Sequence, residues 1–132
     1  MKQKHYHIYT DGSCRPNPGI GGWGIAGFIG KNHNPLFFAN GIKLSSTNNK
    51  MEITAFIEAM KNITSNYKKY EITKNDKITF YTDSSYLCNG INNWMYKWKK
   101  RKWIGIKNKE LWIEVDLYLD FLKKITQNIE IK

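Results

Sequence analysis

Tyr6-His7-Ile8-Tyr9-Thr10-Asp11-Gly12-Ser13-Cys14 is the stretch from which the rest of the chain can be read. Its residues alternate, Tyr6, Ile8 and Thr10 on one side and His7, Tyr9 and Asp11 on the other, which is the period of a β-strand. The spacing predicts a strand over 6–11 with Asp11 at its C-terminal end. Two readings of that end stay open. Asp-Gly is a common hairpin turn signal, and a strand that delivers a carboxylate into a glycine-rich turn can also form a functional edge. Which applies depends on whether other acids, Glu52 and Asp83, converge on Asp11.

After turn chemistry at Cys14-Arg15-Pro16-Asn17-Pro18-Gly19, a second strand is expected from Trp23 to Ile29 and a third from Leu36 to Leu44, an antiparallel meander. The period then changes. Met51, Ala55, Phe56, Ala59, Met60 and Ile63 recur at helical spacing, predicting a helix over 49–63 capped by Thr47 or Asn48. Glu52 shares a side of that helix with Ala55, Phe56 and Ala59, residues that should face the sheet. Either it rims the helix start, where the macrodipole favours acids, or it is a buried carboxylate that needs a cation, donors or a wet cleft.

A polar loop over 66–77 precedes Ile78-Thr79-Phe80-Tyr81-Thr82-Asp83, a strand that again ends in Asp and is followed by the helix-start signal Ser84-Ser85. A strand reached through a helix implies a crossover and parallel pairing with the first strand. Asp11 and Asp83 are thereby expected side by side at carboxyl ends of strands, where functional groups of such sheets gather, with Glu52 above them. Next, Trp94-Met95-Tyr96-Lys97-Trp98-Lys99-Lys100-Arg101-Lys102-Trp103 interleaves five cations with three indoles and a tyrosine. It reads as a nucleic-acid contact through phosphates and ring stacking, or as a charged helix face anchored to a core by tryptophans. Asn108 is expected to cap a long helix burying Leu111, Trp112, Val115, Tyr118, Leu119, Leu122 and Ile125, and 128–132 ends the chain as a strand.

At 132 residues, 41% hydrophobic, the chain is expected to be one domain with a real core. No apolar run approaches membrane-spanning length and the N-terminus has no signal-peptide core, so a soluble, cytoplasmic protein is expected. Cys14 and Cys88 read as two reduced thiols. The net charge of +10 suits a polyanionic partner, although only Arg15 and Arg101 are arginine and the wealth of Lys, Asn, Ile and Tyr also fits A+T-rich coding.

Strand, strand, strand, helix, strand, helices, strand, carrying Thr10-Asp11-Gly12-Ser13, Asn17-Pro18-Gly19, Thr47-Asn48-Asn49-Lys50-Met51-Glu52 and Thr82-Asp83-Ser84 in that order, resembles type 1 ribonuclease H over essentially the whole chain. The resemblance implies an α/β ribonuclease H-like fold, a mixed five-stranded sheet flanked by helices, in a single domain over 1–132. It implies an endonuclease that hydrolyses the RNA strand of an RNA·DNA hybrid, leaves 5′-phosphate ends, acts as a monomer and uses Mg2+, with Mn2+ as a substitute. Asp11, Glu52 and Asp83 would be the catalytic metal ligands, Asp11 shared between two ions. By the same resemblance Asn17, Asn48 and Asn49 hold the hybrid, Thr47 meets a DNA phosphate, and Ser13 lies where the 2′-hydroxyl is sensed. Trp94, Trp98, Lys99, Lys100, Arg101 and Trp103 correspond to the family's basic protrusion.

Two departures stand out. Ser85 occupies a position where many relatives carry Gln, which shortens or removes one contact. The family's last strand also leads into a loop with a His and a helix with a fourth acid, and this sequence ends before both; Glu130 is not spaced to replace that acid. The expectation is therefore a truncated or catalytically weakened enzyme, or a hybrid-binding module without turnover. A resolvase-like relative is disfavoured by the Thr47 to Glu52 segment and the basic tract.

Overall fold

The computed structural model describes residues 2–132. Strands β1 (His5–Cys14), β2 (Gly19–Ile29) and β3 (Phe37–Ser46) form the meander, followed by helix α1 (Asn48–Asn66) and strand β4 (Lys77–Tyr81). Helix α2 (Ser85–Asn89), a π turn (Gly90–Trp94) and helix α3 (Met95–Lys100) lead to helix α4 (Lys109–Ile125) and strand β5 (Asn128–Ile131). The sheet order is β3-β2-β1-β4-β5. β2 runs antiparallel to β1 and β3, whereas β1, β4 and β5 are mutually parallel neighbours, the mixed five-stranded sheet expected.

Alternation decides the faces. Tyr6, Ile8 and Thr10 are buried against α1, and Tyr9 and Asp11 are exposed on the other side. α1 supplies Ile53, Phe56, Ala59, Met60 and Ile63 to the core, and Phe56 meets Phe80 of β4 edge to face at 4.9 Å between centroids. α4 lies against α1 with Trp112, Val115, Leu119 and Leu122 turned inward.

Several boundaries differ from expectation, each for a physical reason. β1 does not end at Asp11: its ladder with β2 continues through Asp11↔Gly24 and Gly12↔Trp23 to Cys14↔Gly21, so Asp11-Gly12 lies inside a strand and the turn comes at 15–18. β4 is shorter than expected, ending at Tyr81, which leaves Asp83 between the strand and the helix cap Ser84, whose hydroxyl accepts from Leu87 N at 3.0 Å. Asn108 is the N-cap residue of α4, as expected, but it caps through its backbone oxygen, which accepts from Leu111 N and Trp112 N at 3.1 Å, and not through its side chain. It sits at φ 60°, and its Nδ2 donates to the Tyr86 hydroxyl at 3.3 Å. The π turn had no sequence signal.

The polar loop before β4 hides a structural acid. Asp76 is 1% exposed and accepts from Lys4 N (2.9 Å), Thr73 N (2.8 Å) and Thr73 Oγ1 (3.1 Å), with the Lys4 ammonium 3.6 Å away. Burial alone would raise its pKa, but these donors and the cation outweigh it and hold the carboxyl below its ordinary range. A carboxyl depressed in this way stabilises the fold above its unfolded pKa, and that contribution is lost as pH falls through the folded value. Asp76→Ala strands two backbone donors and is expected to cost about 3 kcal/mol at pH 7 by urea unfolding. The deficit against wild type should begin to shrink below about pH 4, where the unfolded carboxyl protonates, and go on shrinking until pH falls through the lowered native value.

Candidate active site

Three elements converge beside the carboxyl-terminal half of β1 and just past the end of β4. Asp11 stands on the exposed face of β1, Asp83 follows β4, and Glu52 comes from the second turn of α1. One oxygen from each lies within 4.8 Å of the others, a set that could hold a metal ion. The arrangement depends on how closely α1 approaches β1. A methyl group on Gly12 would sit 2.3 Å from Met51 O, so only glycine lets the helix backbone lie on the strand. At that contact Gly12 N donates to Glu52 Oε1.

Glu52 is buried, whereas Asp11 and Asp83 are exposed. Desolvation raises the Glu52 pKa, the Gly12 hydrogen bond opposes it, and the negative charges of Asp83 and Asp11 raise it further, leaving the carboxyl at about 7. The contrast with Asp76 lies in the surroundings. Both are buried, but Asp76 has donors and an ammonium, while Glu52 has two more carboxylates. The second of the two readings of Glu52 therefore holds. Such a cluster attracts a hard divalent cation, for which carboxylate oxygens are the fitting ligands.

The acids open into a cleft of about 420 Å³ that is also walled by Ser13, Arg15, Asn48 and Asn49. Its rim is held by a relay of amides: Cys14 N donates to Asn48 Oδ1 at 2.7 Å, and Asn48 N donates to Asn17 Oδ1 at 3.0 Å. Both side-chain oxygens are thus engaged, which leaves the Nδ2 groups as the donors these amides can offer. Thr47 is the N-cap of α1, its Oγ1 accepting from Lys50 N at 3.2 Å, which leaves the hydroxyl proton free to donate. Arg15 in this wall was not singled out from the sequence; its place after the Cys14 strand end is the only signal that could have found it. Ser85 is exposed in the first turn of α2.

The basic tract divides into anchors and free cations. Trp98 packs on the fully buried Trp112, with centroids 5.2 Å apart, and Trp103 is partly buried against the core, while Trp94 is 40% exposed. The Tyr86 hydroxyl accepts from Trp112 Nε1 at 3.0 Å, so α2, directly after Asp83, is tied to the helix on which the tract rests. Lys99 pairs with Asp116 at 3.0 Å and Lys100 lies over the Tyr96 ring at 4.6 Å. Lys100 and Arg101 have no carboxylate partner among the described residues.

Residues 3–131 match the family described as RNase H. The chain is 40% identical over 121 residues to ribonuclease HI of Neisseria meningitidis serogroup A, covering 88% of this chain and 74% of that protein. It is 41% identical over 114 residues to ribonuclease H of Hydrogenovibrio crunogenus, covering 83% and 70%. Among solved structures, LC11-RNase H1 in complex with an RNA/DNA hybrid superposes with a TM-score of 0.72 at 20% identity, over 96% of this chain and 83% of that one. The protease–reverse transcriptase of prototype foamy virus contains a similar fold, with a TM-score of 0.75 at 23% identity over 98% of this chain and 17% of the viral one.

Proposed function

The chain belongs to the ribonuclease H family, and from that premise we infer that it hydrolyses the RNA strand of RNA·DNA hybrids at the Asp11–Glu52–Asp83 cluster. The observation that carries the reading is the convergence of three carboxylates, one of them buried with its pKa raised to about 7, in an open cleft. These residues would hold magnesium, or manganese in its place. Bound there, two such ions supply activation of the attacking water and stabilisation of the leaving oxygen in phosphodiester hydrolysis.

The chain's own groups do the positioning. Asn17 and Asn48 present amide donors whose oxygens are already engaged, so they favour acceptors on the hybrid. The Thr47 hydroxyl, accepting from Lys50 N, is left to donate to a phosphate of the DNA strand. Ser13, with Asn48 and Glu52 in the same cleft wall, would test for a 2′-hydroxyl, and Asn49 beside them would hold the hybrid. Lys100 and Arg101 serve phosphates farther along the duplex, with Trp94 against Trp98, and Lys99, Trp98 and Trp103 hold the tract to the core. All three acids come from one chain, which suits a monomer, and two unpaired cysteines suit the cytoplasm.

The test is an end-labelled hybrid incubated with magnesium, beside an Asp11→Asn control. Magnesium-dependent cuts in the RNA strand that the control lacks establish the activity. Tight binding without cuts would instead leave a hybrid-binding module. Replacing Lys100 and Arg101 together by glutamine is expected to weaken hybrid affinity and to lower the slope of log K against log[salt] by roughly 1.8, the share of two phosphate contacts. Cleavage at saturating hybrid should change little, a split that fluorescence anisotropy and single-turnover kinetics resolve.

A further inference from the structure

Trp112 is fully buried, and three successive elements rest on its ring. Tyr86 of α2 meets it edge on at 5.6 Å between centroids, and Trp98 of α3 does so at 5.2 Å. Gly90 of the π turn lies so close that an added methyl would sit 2.2 Å from Trp112 Cη2. The Tyr86 hydroxyl accepts from Trp112 Nε1 at 3.0 Å and from Asn108 Nδ2 at 3.3 Å. Segment 86–112, which carries the basic tract, is thus a loop tied off at its base by one phenol oxygen, three residues after Asp83.

The link from the tract back to α4 depends on that tie. Lys102, Trp103 and Asn108 have φ of 55°, 62° and 60°, a conformation that disfavours L side chains and persists where the surroundings impose it. Trp103 packs against the core, and Asn108 is held by Tyr86. We propose that Tyr86 is a positioning residue: its hydroxyl sets the distance between the tract and Asp83, so that a duplex gripped by Lys100 and Arg101 presents a phosphate to the three acids. The proposal rests on the hybrid-cleaving reading for the acids and on the tract as the second grip. A tract held at the wrong distance is worse than none, because its binding energy then keeps the duplex where the acids do not reach it.

Tyr86→Phe keeps the ring and removes the hydroxyl. Hybrid affinity in EDTA and its salt slope are expected to stay as in wild type, while the single-turnover rate at saturating hybrid falls about tenfold, the scale of a small misplacement. Adding Lys100→Gln and Arg101→Gln should restore the rate at saturation, since a duplex released from the tract is free to seat on the acids. A merely structural loss is not rescued in this way. Asp76→Ala, at the other end of β4, controls for lowered stability and should cut as wild type does. Asn108→Gly removes one of the two bonds and tolerates the positive φ; it should show the same pattern at smaller size, and it serves if Tyr86→Phe does not fold. Hydrogen exchange with the hybrid bound in EDTA gives a reading that needs no cutting. In wild type the link and the cleft rim near Asn48 should be protected together, and in Tyr86→Phe the link alone. An unchanged rate, a loss of rate that the tract substitutions do not rescue, or equal rim protection in both proteins overturns the proposal. Should wild type fail to cut while exchange separates the two proteins as stated, the nuclease reading falls and the role of Tyr86 stands.

Discussion

Asp11→Asn is expected to lower magnesium-dependent cleavage of a hybrid by roughly 10³-fold while leaving the fold intact, because a metal ligand set is worth several kcal/mol of transition-state stabilisation. The side chain is exposed, so the substitution neither opens a cavity nor strands a buried group. It should even relieve the metal-free protein, since the Asp11 charge helps to push the Glu52 pKa up. Two measurements separate chemistry from folding: a single-turnover rate at saturating magnesium, and urea unfolding without metal. A variant that cuts at near wild-type rate would remove Asp11 from the ligand set.

Gly12→Ala is expected to have the largest effect on stability, about 3 kcal/mol or more, with loss of activity beyond what unfolding explains. The added methyl would meet Met51 O at 2.3 Å and Met51 C at 2.4 Å. Both are backbone atoms, so no rotamer change can relieve the overlap, and β1 and α1 must separate. Separation breaks the Gly12 to Glu52 hydrogen bond and moves Glu52 away from Asp11 and Asp83. Urea unfolding of metal-free protein checks the first effect. Isothermal titration with magnesium on the remaining folded protein checks the second. Unchanged stability would mean that the strand and helix are not in the contact described.

Period-two alternation over Tyr6 to Asp11 placed the core face and the open face of β1 correctly because each side chain's direction is a local property of the strand. Where β1 stops was not local. The ladder runs on past Asp11 because Gly21, Gly22 and Gly24 of β2 stand opposite it, and glycine's two uses, a turn or a close approach, look alike in sequence. The convergence of Asp11, Glu52 and Asp83 was legible through the crossover rule, but the burial of Glu52 became certain only with α1 laid on Gly12. Asp76 escaped notice for the converse reason: its donors include Lys4, 72 residues away, and nothing in a polar loop announces such a partner. In the basic tract, density of charge and rings was visible, whereas the choice of which indole turns inward belongs to Trp112 on α4.

The central position of β1 bears on how the molecule assembles in time. β1 pairs with β2 through a short turn, but its other edge waits for β4, from His5↔Lys77 to Tyr9↔Tyr81, contacts that close a loop of about 70 residues. The meander and α1 can therefore form early from near-neighbour contacts, while docking of β4 carries the entropic barrier. Asp83 arrives with β4, so a refolding chain should acquire affinity for magnesium only in its slowest phase. Pulsed hydrogen exchange during refolding, followed in parallel with magnesium binding, would show protection of the β1 to β3 amides preceding metal competence.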